Sequence, residues 1–282
     1  MRIESRINIY AVASLALVLS AAVSSCNIAP DGKESGKSAD AVEEDTRVAF
    51  TTINENAVYA LSDSVVFGAK DGVFSAQASL LIPTYVSGSD INTLRTAITQ
   101  AAFGIQSAES PEKVLRAYIN TKADSLGYAV RALDADTVDP ASAQGFINIY
   151  GNVASMSPRI LSYAVTEYFY PPLAANGSTT LSYVNYDFAT GRVLSLDDIF
   201  TPDGIKALPT LIAGRVRTSC PDANVTALPS DGSYYVDYEG RIVFVYQQGE
   251  VCYHAAGAVT AAFYPQELSE YMTATGKSFL IG

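Results

Sequence analysis

The run Leu181–Phe200 constrains the fold more than any other stretch of the chain: Leu-Ser-Tyr-Val-Asn-Tyr-Asp-Phe-Ala-Thr-Gly-Arg-Val-Leu-Ser-Leu-Asp-Asp-Ile-Phe. In an extended backbone Val184, Tyr186 and Phe188 share one face, and Tyr183, Asn185 and Asp187 share the other. Ala189-Thr190-Gly191-Arg192 reads as a tight turn in which Gly191 is free to take φ > 0. Val193 and Leu194 resume the strand. Ser195 is a good N-cap, and Asp198 lies where a carboxylate favours a helix N-terminus. The run predicts a β-hairpin feeding a helix. Neighbouring positions on a helix diverge by about 100°, so Asp197 and Asp198 read as capping groups rather than facing catalytic carboxylates.

The rest of the chain repeats this grammar. Arg47–Ile53 reads as a first strand, and Phe74–Ile82 alternates apolar and polar residues as a half-buried one. Ser89 or Asp90 caps a helix with apolar positions Ile91, Leu94 and Ile98, ended by Gly104. Ser110-Pro111-Glu112 opens a second helix whose stripe runs from Val114 to Leu126. Residues 128–142 read as irregular. Phe146–Ala154 and Ile160–Tyr170 are the next strands. Thr201-Pro202-Asp203-Gly204 reads as a turn, followed by a helix through Val216 with Pro209 inside its pattern. Ser233–Tyr238 and Arg241–Tyr246 form a second hairpin over Glu239-Gly240. Val259–Tyr264 adds a strand and Gln266–Met272 a short helix. Strands that come in hairpins, without β-α-β alternation, predict an α+β fold with mainly antiparallel sheet and three or four helices.

The ends of the chain indicate an address. Residues 1–25 have a basic start at Arg2 and Arg6 and an apolar run from Ile9 to Val23, too short for a comfortable span. Val23-Ser24-Ser25-Cys26 is similar to the lipobox of bacterial lipoproteins, which implies lipidation of Cys26, palmitate being one acyl source. Residues 26–46 are polar and cannot bury enough surface to fold, so they read as a lipid-anchored tether. Residues 47–172 and 173–282 read as two halves of one globular unit. The chain carries −11, and loss of Arg2, Glu4 and Arg6, together +1, leaves −12. That balance argues against nucleic acid and suits a basic protein partner. Outside the cytoplasm Cys220 and Cys252 are expected to pair, closing a loop worth about 3–4 kcal/mol in the chain-entropy model. Two buried thiols are the alternative.

Catalytic signatures are sparse. His254 is the one histidine, so no two-histidine metal site forms, and no G-x-S-x-G elbow or phosphate-cradling glycine loop occurs. Neither a metal nor a cofactor is expected, and His254 reads as structural. A carboxylate pair of the kind that cleaves glycans is left open by the composition. The chain has 18 tyrosines and no tryptophan. Tyr234, Tyr235 and Tyr238 lie in one strand-like run, so at least one faces outward, and these three are the candidate ligand contacts.

Two segments carry a family resemblance. Tyr183–Phe200, above all Asn185-Tyr186-Asp187, Thr190-Gly191-Arg192 and Ser195-Leu196-Asp197-Asp198-Ile199-Phe200, resembles the hairpin of the RsiV-like C-terminal domain family. Tyr246-Gln247-Gln248-Gly249-Glu250 through Gly257, followed by Val259–Leu268, is similar to the ending of that module. The family forms the outer part of lysozyme-sensing anti-sigma-V factors and also accompanies peptidoglycan deacetylase domains. Where members often carry Gly-Gly-Ala-His before the hairpin, this chain has Ala174-Ala175-Asn176-Gly177.

Together these features predict a non-catalytic lipoprotein, anchored to a membrane of the cell envelope, that binds a protein or cell-wall component. A lysozyme-like muramidase is the ligand the resemblance implies. An envelope hydrolase acting on glycan through a carboxylate pair is the alternative. If Cys26 carries the anchor, Cys26→Ser should move the protein from the membrane fraction to the soluble one. A mutant that stays membrane-bound, with a wild type that takes up no labelled palmitate, would contradict this.

Overall fold

Alternating strands joined by tight turns build most of the sheet, and one helical crossover sets its remaining pairing. The computed structural model describes residues 47–60, 73–107, 109–131 and 145–281. β1 (Val48–Ala60) and β2 (Val73–Val86) pair antiparallel. α1 (Ile91–Phe103) and α2 (Pro111–Arg131) then carry the chain back, so β3 (Gly145–Met156) enters beside β2 in the same direction. A parallel pair needs such a crossover, which a hairpin count does not reveal. β4 (Ile160–Tyr170), β5 (Ser178–Asp187) and the two-residue β6 (Arg192–Val193) follow antiparallel, giving the order β1-β2-β3-β4-β5-β6. β7 (Tyr234–Val236), β8 (Ile242–Tyr246) and β9 (Val259–Phe263) form a separate antiparallel sheet.

The architecture is α+β and mostly sheet, but the large sheet is mixed and helices are more numerous than expected. Besides α1 and α2 there are α3 (Leu196–Ile199), α4 (Pro202–Val216) and α5 (Ala274–Leu280), with 3-10 segments at Ser230–Gly232, His254–Ala256 and Pro265–Tyr271. Thr201-Pro202-Asp203-Gly204 is not a turn but the start of α4. Thr201 Oγ1 accepts the Gly204 N–H at 3.0 Å, and Pro202 lacks an N–H where none is needed. Pro209 stands inside α4, which continues through it to Val216. α2 extends to Arg131, through part of the stretch read as irregular; residues 132–142 lie outside the described ones. α5 carried no apolar stripe long enough to announce it. Its cap is Thr273, whose Oγ1 accepts from Gly276 N–H at 2.8 Å.

The described residues form one compact unit with two large apolar cores and a smaller cluster around Ile160, Leu194 and Val236. The first lies between the large sheet and α1 and α2. Leu80, Ile149, Leu161 and Tyr163 meet Leu94, Ile98, Leu115 and Ile119 there, each buried. Gly151 belongs to this layer because a Cβ would collide with the Tyr163 hydroxyl. The second core packs Leu208, Ile212 and Val216 of α4 against Ile242, Phe244 and Tyr246 of β8. β5 and β6, from the second half of the sequence, complete the sheet begun by the first half.

The two sheets meet on the large sheet's other face through a buried polar row. Ser155, Ser162 and Asn185 are direct neighbours across β3, β4 and β5, and each is at most 4% exposed. Asn185 Nδ2 donates to the Tyr234 carbonyl at 2.8 Å, and Ser162 Oγ accepts the Val236 N–H at 3.0 Å. Ser155 Oγ donates to the Val236 carbonyl, and Ser162 Oγ donates to Asn185 Oδ1 at 2.7 Å. β7 therefore runs across the strands of the large sheet. Its outer edge is satisfied by side chains instead of by another strand.

The hairpin turn is built around Asp187, whose side chain is fully buried. Its carboxylate accepts from Arg159 Nε at 3.0 Å, from Ala189 N–H at 3.1 Å and from Thr190 Oγ1 at 2.6 Å. Gly191 takes φ 66°, and a Cβ there would lie 2.8 Å from Ser89 Oγ on the turn before α1. Gly191→Val should therefore lower stability by about 1–3 kcal/mol in chemical denaturation. An unchanged midpoint would mean that the turn tolerates a branched residue.

Candidate functional site

The short length of β6 shapes the surface beside it. β6 pairs only with Tyr186 and Asp187, so the first half of β5 has no strand on its outer side. Exposed edges of that kind invite unwanted pairing. Two glutamines cover this one. Gln247 Oε1 accepts the Leu181 N–H at 2.9 Å, and its Nε2 donates to the Leu181 carbonyl at 2.6 Å. Gln248 Oε1 accepts the Thr179 N–H at 3.1 Å. The side-chain amides thus stand in for a neighbouring strand.

The loop that carries them is itself held. Glu250 accepts the Gln247 N–H at 2.6 Å with one oxygen and the Ser230 N–H at 2.8 Å with the other. The Cys220–Cys252 disulfide, with Cα atoms 6.5 Å apart, ties the same loop to the end of α4. His254 is exposed; Gln248 Nε2 lies 3.2 Å from its Nδ1 and donates to its carbonyl at 3.1 Å. Its place is in this loop's own bonding. Among the described residues no cluster of three or more His, Cys, Asp or Glu side chains could hold a metal ion.

Between α1 and the β5 edge lies an open groove of about 750 Å³, reached by Thr96 and Gln100 of α1, Thr180 and Ser182 of β5, and Gln247. A second groove of about 470 Å³ adjoins it near Leu196, Asp197 and Leu228. Tyr183, Asp231 and Ser233 line both. Tyr183 stacks on Tyr235, centroids 4.8 Å apart at 17°. Burial, with the neighbouring Tyr235, pushes the Tyr183 hydroxyl up to about 12, so it is a neutral hydrogen-bonding group at any physiological pH.

The three candidate tyrosines do not form one surface. Tyr234 is 4% exposed and donates its hydroxyl to the Leu194 carbonyl at 2.9 Å. It belongs to the second core, because alternation in β7 turns it inward. Tyr235 is half-buried against Tyr183. Tyr238, beyond the strand, is 80% exposed. Near it, Tyr264 donates its hydroxyl to Glu239 Oε2 at 3.1 Å, and Arg241 pairs with Asp237 and Glu239. The groove residues Asp231, Ser233 and Gln247 were not read as ligand contacts in the sequence, where Gln247 entered only through the family resemblance. The available signal was a Gln-Gln-Gly turn directly after a buried strand. Cys26 lies outside the described residues.

No family model matches the sequence, and no curated protein matches it. Among solved structures the chain is similar to a member of the DUF3298 family from Bacteroides fragilis, at 19% identity and a TM-score of 0.68, covering 81% of this chain and 94% of that one. The fold is that of DUF3298 proteins. A DUF3298 family protein from Pseudomonas aeruginosa is also similar, at 11% identity and a TM-score of 0.54, covering 81% of this chain and 95% of that one. At such identities the likeness concerns fold alone.

Asp197 and Asp198 have separate environments. Asp197 is exposed and lines the smaller groove. Asp198 accepts from the Ser195 N–H at 2.8 Å and the Ser195 hydroxyl at 2.8 Å, with Arg192 at 3.3 Å. The Ser195 backbone N–H foremost, then its hydroxyl and the Arg192 guanidinium, hold Asp198 below the usual carboxylate range. A depressed folded-state pKa stabilises above the unfolded value near ~4 and loses that effect as pH falls through the folded value. Asp198→Asn should therefore cost about 1 kcal/mol at pH 7, with the gap to wild type narrowing below about pH 4. A gap that stays constant with pH would contradict the capping role.

Proposed function

We propose that this protein is a non-catalytic binding module of the cell envelope, held there through Cys26, and that its ligand is a basic protein of the lysozyme type. The observation that carries this reading is the exposed aromatic and acidic end of the small sheet. Tyr238 is 80% and Tyr264 48% exposed, and they stand among Asp237 and Glu239. Aromatic side chains anchor protein interfaces; Arg241 pairs with both carboxylates and leaves the cluster one net negative charge, which adds to that of the whole chain in steering a basic partner. The resemblance of Tyr183–Phe200 and Tyr246–Leu268 to the RsiV-like family supports the choice of ligand. The chain's overall −11 supports its sign. Among the described residues no helix is long and apolar enough to cross a membrane, and a lipid anchor requires none.

One observation favours a second reading. Asp197 and Asp231 both line the smaller groove, and two carboxyl groups are what a glycan hydrolase needs. Under that reading, purified protein releases reducing ends from cell-wall glycan and Asp231→Asn abolishes the release.

For the leading reading, the protein should bind a basic lysozyme with an on-rate that falls as salt rises, and Tyr238→Ala should weaken binding about tenfold. Cytochrome c serves as an equally basic control. If lysozyme binds no better than that control at about 0.15 M salt, where the Debye length is about 8 Å, the proposal fails.

A further inference from the structure

We infer that the groove between α1 and the open edge of β5 is a binding site for an uncharged carbohydrate. The inference concerns a different surface from the Tyr238 end, and it does not depend on the protein ligand proposed for that end.

The chemistry of the lining is selective. The groove's exposed lining is more apolar than polar, with Ala97, Ala101, Val184 and Val193 set among the hydroxyl and amide side chains of threonine, serine and glutamine, and among the described residues it holds no Lys, Arg or His and one carboxylate, Asp231. A phosphate or carboxylate ligand would find no cation there. A sugar presents the complementary pattern: many neutral donors and acceptors, and an apolar ring face. At about 750 Å³ the groove lies within the range of small-molecule sites, and the second groove extends it past Tyr183.

Ser233 is the observation that singles out this groove. It is 8% exposed, it lines both grooves, and its hydroxyl has no hydrogen-bond partner among the described residues. A buried hydroxyl left unpaired costs stability, so its retention calls for a reason. The oxygen itself is enclosed, and a turn about χ1 toward the junction of the grooves would let a ligand hydroxyl supply the missing partner. Beside it, Asp231 is held in the left-handed region at φ 56°, ψ 19°. Strain of that kind persists only where neighbours enforce it. Here the Gly232 N–H bonds to the Pro229 carbonyl at 3.0 Å, the Ser230 N–H to Glu250 at 2.8 Å and the Val245 N–H to the Ser233 carbonyl at 3.0 Å. The turn thereby fixes the backbone of an exposed carboxylate at the junction, from which it can accept charge-assisted hydrogen bonds from two adjacent hydroxyls of one sugar ring. Ser233 and Asp231 together give the site a neutral donor–acceptor and a two-oxygen acceptor at one point.

The test is a titration of the full chain in mild detergent, followed by calorimetry and ligand-observed NMR. Triacetylchitotriose and maltotriose are the neutral probes, and sialyllactose is the anionic control. At least one neutral trisaccharide should bind saturably, with a dissociation constant on the order of 1 mM or tighter, and should exceed the anionic control. Ser233→Ala should weaken that binding about tenfold without lowering the melting temperature, since it removes an unpaired hydroxyl. Asp231→Asn should weaken it similarly, asparagine being tolerant of the left-handed conformation. Tyr238→Ala should leave it unchanged, which separates this site from the proposed protein interface. Absence of saturable binding for both neutral probes up to about 10 mM would overturn the inference. So would binding that neither groove variant weakens.

Discussion

A row of three buried polar side chains, Ser155, Ser162 and Asn185, joins the two sheets of this protein. Each lies on a different strand of the large sheet, and together they satisfy the Tyr234 carbonyl and the Val236 N–H and carbonyl on the outer edge of β7. An unpaired backbone group in such a place would cost about 1–3 kcal/mol, so the row fixes where β7 can sit and in which direction it runs. Apolar packing alone would not choose that register. Ile160, Leu194 and Val236 close one flank of the row, joined by Phe279 and Leu280 from α5. The stacked Tyr183 and Tyr235 close another.

The location of the grooves follows from that docking. With β7 held over β3–β5, the Gln247–Gln248 loop is brought against the free edge of β5, and the Pro229–Ser233 turn faces α1. A longer β6 would have covered the edge with backbone and closed the space. The two glutamines protect the edge from another strand and leave room beside it, which is how a groove arises at the seam of an otherwise well-packed molecule. The Cys220–Cys252 bridge and Glu250 steady the loop from the side of the second core.

Local chemistry was legible in the sequence and long-range partnership was not. Asp90, Gly104 and Ser195 sit at helix ends, and the Gly191 turn joins β5 to β6, where cap and turn preferences place them. Alternation assigned Tyr183, Asn185 and Asp187 to the face opposite Val184 and Tyr186. It could not say that this face is covered by a second sheet, because a period of two records sides and not neighbours. The same limit applies to Tyr234, which a strand pattern places on one side of β7 without naming the core beneath it. The parallel β2–β3 pair depends on how two helices fold back over the sheet, a property of the whole crossover. Gln247 and Gln248 entered only through the family resemblance, since nothing local reveals that their amides replace a strand.

The polar row acts as one unit. A double-mutant cycle on Ser162→Ala and Asn185→Ala, followed by chemical denaturation, measures this most directly. Because the two side chains bond to each other and share β7 as a partner, their effects should be non-additive by about 1 kcal/mol or more. Additivity within about 0.5 kcal/mol would contradict it, and would show that the two side chains act independently.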